Sequence, residues 1–243
     1  NTNIYRKING DIKKELGLPT NSTIFLNLNR NTPRKRIDLS IIAFANLLSH
    51  QPNKNAYMLF ACDATNMSDN GWNISDIFNH QLRLLNLDVQ EFNKRILFVN
   101  NFQSLNDSDI NKLYNACDIG VNSCSGEGVG LCNLEHGAVG KPQITSHVGG
   151  LIDFIRPEHS FQIEPKHYGY VNGSSIGGYE HIIDPADMTS AMEKYLIAPG
   201  LITEHGSKLS TYIVRHYQWG VEMASLIHQL ETTMIDLTPE VSV

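Results

Sequence analysis

The stretch Ile119–Ser146, IGVNSCSGEGVGLCNLEHGAVGKPQITS, decides how the rest of the chain reads. Ile119–Asn122 is a short run with two β-branched residues, the pattern of a buried strand. Ser123–Gly130 is a Gly/Ser loop. A helical pattern then runs through Ala138, and Gly140 supplies the terminator that helices favour just past their last turn. Pro142–Ser146 reads as the next strand. Strand, loop, helix and strand in so short a span make a crossover unit, which joins parallel strands.

The same alternation extends outward. Ile24–Asn29 reads as a strand, and Ile37–Leu48 as a helix with Ile37, Ile41, Phe44, Ala45 and Leu48 on one face. Tyr57–Ala61 is a second strand, residues 64–73 a polar loop, Ile74–Leu85 a helix and Ile96–Val99 a strand. Asn106 or Asp107 caps a helix that reaches Cys117. At least five strand–helix alternations predict a doubly wound, Rossmann-like parallel sheet. After Gly150 the pattern loosens. Phe161–Ile163 suits a strand, and residues 165–180, rich in Gly and Tyr around Asn172 and Ser174, read as an irregular insertion. Pro185 sits well in the first turn of a helix reaching Leu196. Helical stretches at about 201–216 and 219–233 form a C-terminal extension, and the tail Asp236–Val243 is expected to fray.

The 243 residues are 41% hydrophobic and 18% charged, which excludes a disordered or coiled-coil chain. A net charge of -6 argues against a protein that grips nucleic-acid phosphates over a broad surface. The chain has no apolar run near the ~18 residues needed to span a bilayer. Cys62, Cys117, Cys124 and Cys132 lack the spacing of a zinc site or a disulfide framework, so a reducing compartment, the cytoplasm, is expected. The chain opens on Asn rather than Met and is read as part of a longer protein.

In wound sheets ligands collect at the carboxyl ends of strands, so the residues just after strands carry the functional reading. Arg30, Arg34, Lys35 and Arg36 put four cations within seven residues after the first strand and before a helix. A helix N-terminus repels cations, so helix stability does not explain them. They form either a solvated basic patch or a clamp for a diphosphate, with Arg30 as a fork and Lys35 as a point charge. Gly126, Gly128 and Gly130 either make a tight turn or let backbone N–H groups approach a ligand. Glu127 and Glu135 would lie about 12 Å apart if the segment between them is helical. That is too far for a paired-carboxylate hydrolase, which needs roughly 5–9.5 Å. They are solvated surface, or they grip two ends of an extended ligand. His136 and His147 invite a reading as bases, but a lone His near a loop is more often structural.

These features together resemble the C-terminal, donor-binding half of family 4 retaining glycosyltransferases of the GT-B fold. Glu127-Gly-Val-Gly-Leu-Cys-Asn-Leu-Glu-His-Gly-Ala-Val-Gly-Lys-Pro142 is similar to the family's Glu-Gly-Phe-Gly-Leu-x-x-x-Glu-Ala-x-Ala-x-Gly-x-Pro signature. Arg30 with Lys35 five positions later resembles its Arg/Lys helix entry. Leu113-Tyr114 with Ala116-Cys117-Asp118, then Gly149-Gly150 and Trp219, fall where the family has matching pieces. The likeness covers about residues 22–230. Val129 replaces the usual Phe, and Asn29 and Arg36 replace glycines.

The resemblance implies transfer of a hexose from a nucleoside diphosphate sugar with retention and without a divalent cation, so no metal ligands are assigned. Arg30, Lys35 and Glu127 are the implied catalytic group. Gly128, Val129, Gly130, Leu131 and Glu135 would hold the donor, with Glu135 on the ribose and the base near Val99, Asn100 and Asn101. GDP-mannose is favoured over a UDP-sugar by family impression alone. The implied divisions are residues 1–20 near an interdomain junction, 21–198 as the nucleotide-sugar domain, and 199–243 as helices and tail. The implied partners are the donor, an unknown acceptor and an N-terminal acceptor domain that these residues do not encode. The other reading is a non-catalytic nucleotide-sugar module serving a partner subunit. A nicotinamide oxidoreductase is disfavoured, because no Gly-x-Gly-x-x-Gly follows the first strand.

Overall fold

The computed structural model describes residues 2–65, 70–99, 102–171 and 178–235. Its centre is a parallel sheet of β1 (Thr23–Asn27), β2 (Ala56–Phe60), β3 (Ile96–Phe98), β4 (Ile119–Asn122), β5 (Gln143–Ser146) and β6 (Phe161–Ile163), in the order β3-β2-β1-β4-β5-β6. Strand order reverses between β1 and β4, so the crevice between their carboxyl ends is the switch point where such sheets take ligands.

Both faces of the sheet are covered, which is why its strands read as apolar runs rather than alternations. On one face Phe25 and Phe60 meet α2 (Ile37–His50), α3 (Ile74–Leu84) and α8 (Pro185–Ile197). Phe44 bridges this layer, edge-on to Phe25 at 6.2 Å and stacked with Phe78 at 6.1 Å. Because α2 lies between the sheet and two helices, its burial spreads beyond the expected face to Leu39, Ser40, Ala43 and Leu47. On the other face Ile24, Leu26 and Leu59 pack with Leu113 and Tyr114 of α5 (Asp107–Ala116). Asn106 starts α5 with a reciprocal capping box through Asp109.

Short helices α1 (Ile12–Glu15), α4 (Val89–Phe92) and α7 (Leu151–Phe154) lack the length for a periodic signal. The N-terminal segment is tied to α5 by the side chains of Asn111 and Asn115, which accept from the Arg6 and Ile8 N–H groups at 3.1 and 2.8 Å. Helix α9 (Gly200–His216) packs on α6 (Leu131–Ala138) and buries Leu209 and Ile213 with Phe154. Two glycines permit that approach: a Cβ on Gly137 would lie 2.6 Å from Ile213, and one on Gly206 only 2.0 Å from the Gly140 carbonyl oxygen.

The irregular insertion expected at residues 165–180 is corrected by the structure. β7 (Pro165–Val171) and β8 (Gly178–Ile183) pair antiparallel as a separate hairpin. Tyr168 and Tyr170 do alternate with His167 and Gly169, a period-two signal. It was masked because the alternating aromatic residues are exposed and the glycines imitate a loop. Asn172, Ser174 and the tail Asp236–Val243 lie outside the described residues. The last helix, α10 (Trp219–Ile235), exposes Trp219, Leu226, Ile227 and Leu230. No helix among the described residues is long and apolar enough to cross a membrane.

Gly206→Val should cost about 1–3 kcal/mol, because the added atoms meet backbone rather than a side chain able to turn away. The midpoint of urea unfolding measures it. An unchanged midpoint would mean that α9 is not held against the turn after α6.

Candidate functional site

Two loops meet over the switch point. The first leaves β1 at Asn27 and ends in a 3₁₀ turn, Pro33–Lys35. The second leaves β4 at Asn122 and reaches the N-cap of α6 at Gly130. They are stitched together through backbone. Ser125 donates from N and from Oγ to the Arg34 carbonyl, at 2.9 and 3.1 Å, and Ser123 Oγ donates to the Arg36 carbonyl at 2.6 Å.

Lys35 occupies the join. Its Nζ donates to Asn29 Oδ1 at 3.0 Å and to Glu127 Oε2, and both charged side chains are about nine-tenths buried. An ammonium has three N–H donors, so one remains beyond these two contacts. Burial would push the Glu127 carboxyl up. The hydrogen bond and charge of Lys35, the charge of Arg34 and the Gly128 N–H outweigh that and hold it below the usual carboxylate range. Asn29 is itself fixed by donating to Asn27 Oδ1 at 2.8 Å. Asn29 thus holds the ammonium at a position where the resemblance leads one to expect a glycine.

The remaining cations divide. Arg30 is exposed on the loop after β1, and its carbonyl accepts from the Thr32 N–H at 2.9 Å. Arg34 was not among the assigned site residues, yet it reaches the second loop. It donates to the Gly126 carbonyl, and its Nη1 lies 3.7 Å from Glu127 Oε1. Arg36 turns away, with a left-handed backbone (φ 44°) and a two-pronged contact to Asp38 at 3.0 and 2.8 Å. A run of four basic residues announces a cationic loop, but only backbone geometry sorts which of them turn inward.

Gly128, Val129, Gly130 and Leu131 form the rim of the second loop, and the side chains of Val129 and Leu131 are exposed. Gly130 has φ 77°, a left-handed conformation suited to glycine, and it has no side chain with which to cap α6. The Leu131 and Cys132 N–H groups of the first turn are placed to meet an anion, while that of Asn133 donates to the Gly130 carbonyl at 3.0 Å. From the other side Gly149-Gly150 presses on the loop. A Cβ on Gly149 would stand 1.9 Å from the Glu127 carbonyl oxygen, and one on Gly150 2.0 Å from that of Gly128. The Gly150 N–H donates to the Gly128 carbonyl at 2.9 Å.

Glu135 sits one to two turns into α6 and belongs to a different set of contacts. It accepts from the Tyr114 hydroxyl at 2.9 Å, and burial raises its pKa. Tyr114 in turn stacks on His136 at 5.1 Å, and its carbonyl meets His136 Nε2 at 3.1 Å. Burial holds the His136 imidazole down to about 3, so it is neutral at ordinary pH. His147 pairs with Glu164 at the ends of β5 and β6. Val99 follows β3 directly, on the far side of β2 from the switch point. Asn100 and Asn101 lie outside the described residues. The chain also contains an Asp-x-Asp run that the sequence reading passes over, Asp107-Ser108-Asp109. It serves the first turn of α5, where Asp109 completes the capping box and Asp107 accepts from the Tyr5 hydroxyl at 3.1 Å.

A parallel sheet whose switch point carries a buried Lys–Glu pair and a helix N-terminus without a side-chain cap is the architecture of a Rossmann-like α/β domain. The chain belongs to the glycosyl transferases group 1 family, whose model matches residues 9–168. It is 23% identical over 225 residues to D-inositol 3-phosphate glycosyltransferase 2 of Catenulispora acidiphila, covering 93% of this chain and 47% of that protein. The chain thus spans about half the length of that curated relative. The structure is similar to the C-terminal domain of a glycosyl transferase group 1 family protein from Francisella tularensis, with TM-score 0.69 and 17% identity, covering 90% of this chain and 98% of that one. It is also similar to Anabaena HepE solved with UDP-glucose, with TM-score 0.68 and 16% identity, covering 98% of this chain and 56% of that one. These likenesses make the fold that of a GT-B C-terminal domain.

Lys35→Met should shift the titration of Glu127 upward. In the wild type the depressed carboxyl adds stability above its unfolded pKa, and that stability is lost as pH falls through the folded value. Without the ammonium, burial is opposed only by the Arg34 charge and the Gly128 N–H, and the pKa should rise. Carboxyl carbon shifts against pH in a Glu-labelled sample measure it. A Glu127 titration unmoved by the substitution would remove the pair from the site.

Proposed function

We propose that this chain is the donor-binding half of a retaining glycosyltransferase that moves a hexose from a nucleoside diphosphate sugar to an acceptor. The observation that carries the reading is Lys35, buried against Glu127 and Asn29 beside the uncapped N-terminus of α6 at the switch point. Breaking a glycosyl–diphosphate bond builds negative charge on the leaving phosphate. Catalysis then depends on donors fixed where that charge develops. Lys35, Arg30 and the N–H groups at Gly130–Leu131 supply them, with Gly128 and Val129 at the rim, and no bridging cation is required. Glu127 receives the donor sugar and meanwhile holds Lys35 in place. Glu135, oriented by Tyr114, accepts from the ribose hydroxyls. The base rests near Val99, Asn100 and Asn101. That HepE was solved with UDP-glucose makes a UDP-sugar a natural first probe beside GDP-mannose.

The proposed division of the chain keeps residues 1–20 as a segment near a junction, 21–198 as the nucleotide-sugar domain and 199–243 as C-terminal helices. Transfer by this half alone is expected to be negligible, because the reaction needs an acceptor held by a second wall of the cleft.

Calorimetry with UDP, UDP-glucose, GDP and GDP-mannose tests the site. Arg30→Ala and Lys35→Ala should each cost about 2–5 kcal/mol toward the diphosphate. Glu135→Ala should weaken free nucleotide and nucleotide-sugar alike, since both contain the ribose. Glu127→Ala should weaken the nucleotide-sugar more than the free nucleotide, which it reaches only through Lys35. If Arg30→Ala and Lys35→Ala leave affinity unchanged, the clamp is wrong.

The same titration in EDTA should show the same affinity, because fixed cations do the Coulombic work. Loss of binding on chelation would overturn that part. In a radiolabelled-donor assay over a broad set of acceptors, robust transfer by the 243-residue chain would show that it is not half of a catalytic unit.

A further inference from the structure

The β7–β8 hairpin leaves the sheet at the carboxyl-end rim, since Pro165 follows within two residues of the end of β6. That rim also bears both loops of the candidate site. The hairpin is bound to them directly. The His181 N–H donates to the Ser125 carbonyl at 3.1 Å, and Glu180 lies 4.0 Å from Arg36.

Its pairing places Tyr168 opposite His181 and Tyr170 opposite Tyr179. Partners across an antiparallel pair share a face, and positions two apart along a strand do too, about 7 Å along. One face of the hairpin therefore carries four aromatic side chains. Tyr168, Tyr170 and Tyr179 are 64–72% exposed. The rings meet edge to face, Tyr170 with Tyr179 at 5.9 Å and Tyr168 with His181 at 5.1 Å. The opposite face carries Glu180 toward Arg36 and Ile182 against the core, so the aromatic face is the outer one.

We propose that this face is a platform for a neutral saccharide chain, on which successive sugar rings stack as they lead to or from the candidate site. The inference rests on the glycosyltransferase reading of that site and adds the class of chain it serves. Three observations select the occupant. The hairpin adjoins the loop carrying Glu127, through the His181 N–H on the Ser125 carbonyl. Its exposed side chains are tyrosines, with Ile183 on the same face buried in the core, and tyrosines offer a flat apolar body with a hydroxyl at the tip, matching a sugar that is apolar on its faces and polar at its edge. It has no charge to hold an anionic chain. The nearby cations are already paired, Lys166 with Asp184 and Asp187 at 3.4 and 2.7 Å, and Arg36 with Asp38 at 2.8 Å.

The test uses this chain, Tyr170→Ala/Tyr179→Ala and Tyr170→Phe/Tyr179→Phe on a printed array of neutral and anionic oligosaccharides. UDP binding by calorimetry is measured in parallel. The wild type should retain neutral oligosaccharides. The alanine pair should bind them at least about tenfold more weakly, and the phenylalanine pair should keep most of the signal. UDP affinity should be the same in all three proteins, which also shows that the variants are folded. The proposal is overturned if the wild type retains no neutral oligosaccharide, if it prefers anionic ones, or if the alanine pair binds as the wild type does. A wild type that holds glycans but binds neither UDP nor GDP, nor their sugars, would sink the donor reading and leave the platform standing; the reverse result would sink the platform alone.

Discussion

The ion pair between Lys35 and Glu127 is the constraint on which the arrangement above the sheet depends. It joins the loop after β1 to the loop after β4, and so spans the crevice where strand order reverses. Breaking a buried pair by removing one partner costs about 3–5 kcal/mol, because the other charge is left stranded away from water. Such a pair is weak evidence for net stability against an apolar replacement. Its value lies in geometry: it fixes the distance between the two loops at this point. The same pair holds an ammonium ready and a carboxylate ionised, the condition in which either can meet a polar ligand.

The loop bearing Glu127 is gripped from three directions. Ser125 ties it to the backbone at Arg34, Gly149-Gly150 touches its carbonyls, and Gly130 turns it left-handed into α6. Beneath it a row of buried amides runs through the sheet. Asn122 donates to Asn133 at 2.8 Å, and Asn133 donates to Gln143 at 2.9 Å. Buried polar groups must be satisfied, and this row pairs the polar side chains at the end of β4 and the start of β5 with one from α6. Helix α6 is thereby fixed to the sheet from below, and α9 clamps it from outside through Gly137 and Gly206. The N-terminus that faces the crevice is rigid for these reasons rather than through any cap of its own.

The hairpin adds a surface that the sheet itself does not need. Its inner face satisfies Arg36 and covers part of the core, and its outer face leaves three tyrosines in water. Exposed aromatic side chains cost solubility, so their alignment on one face asks for a function in a way that scattered ones would not.

Sequence by itself determined the wound sheet, because each buried strand is a short apolar run and each crossover helix carries its own period and terminator. The Ile119–Ser146 unit is legible on those grounds alone. It also pointed to the region of the candidate site, since a cluster of cations just before a helix has no role in helix stability. Tertiary structure decided which of them converge. Arg34 and Lys35 turn inward while Arg36 pairs with Asp38, because a left-handed residue ends the 3₁₀ turn and redirects the chain. Asn29 became the holder of Lys35, and Tyr114 of Glu135, through hydrogen bonds between residues 6 and 21 positions apart. The hairpin was hidden because its aromatic alternation faces solvent, where hydrophobic patterning makes no demand. Local sequence encodes what each segment must bury; which polar groups meet across segments is set only when the sheet brings the strand ends together.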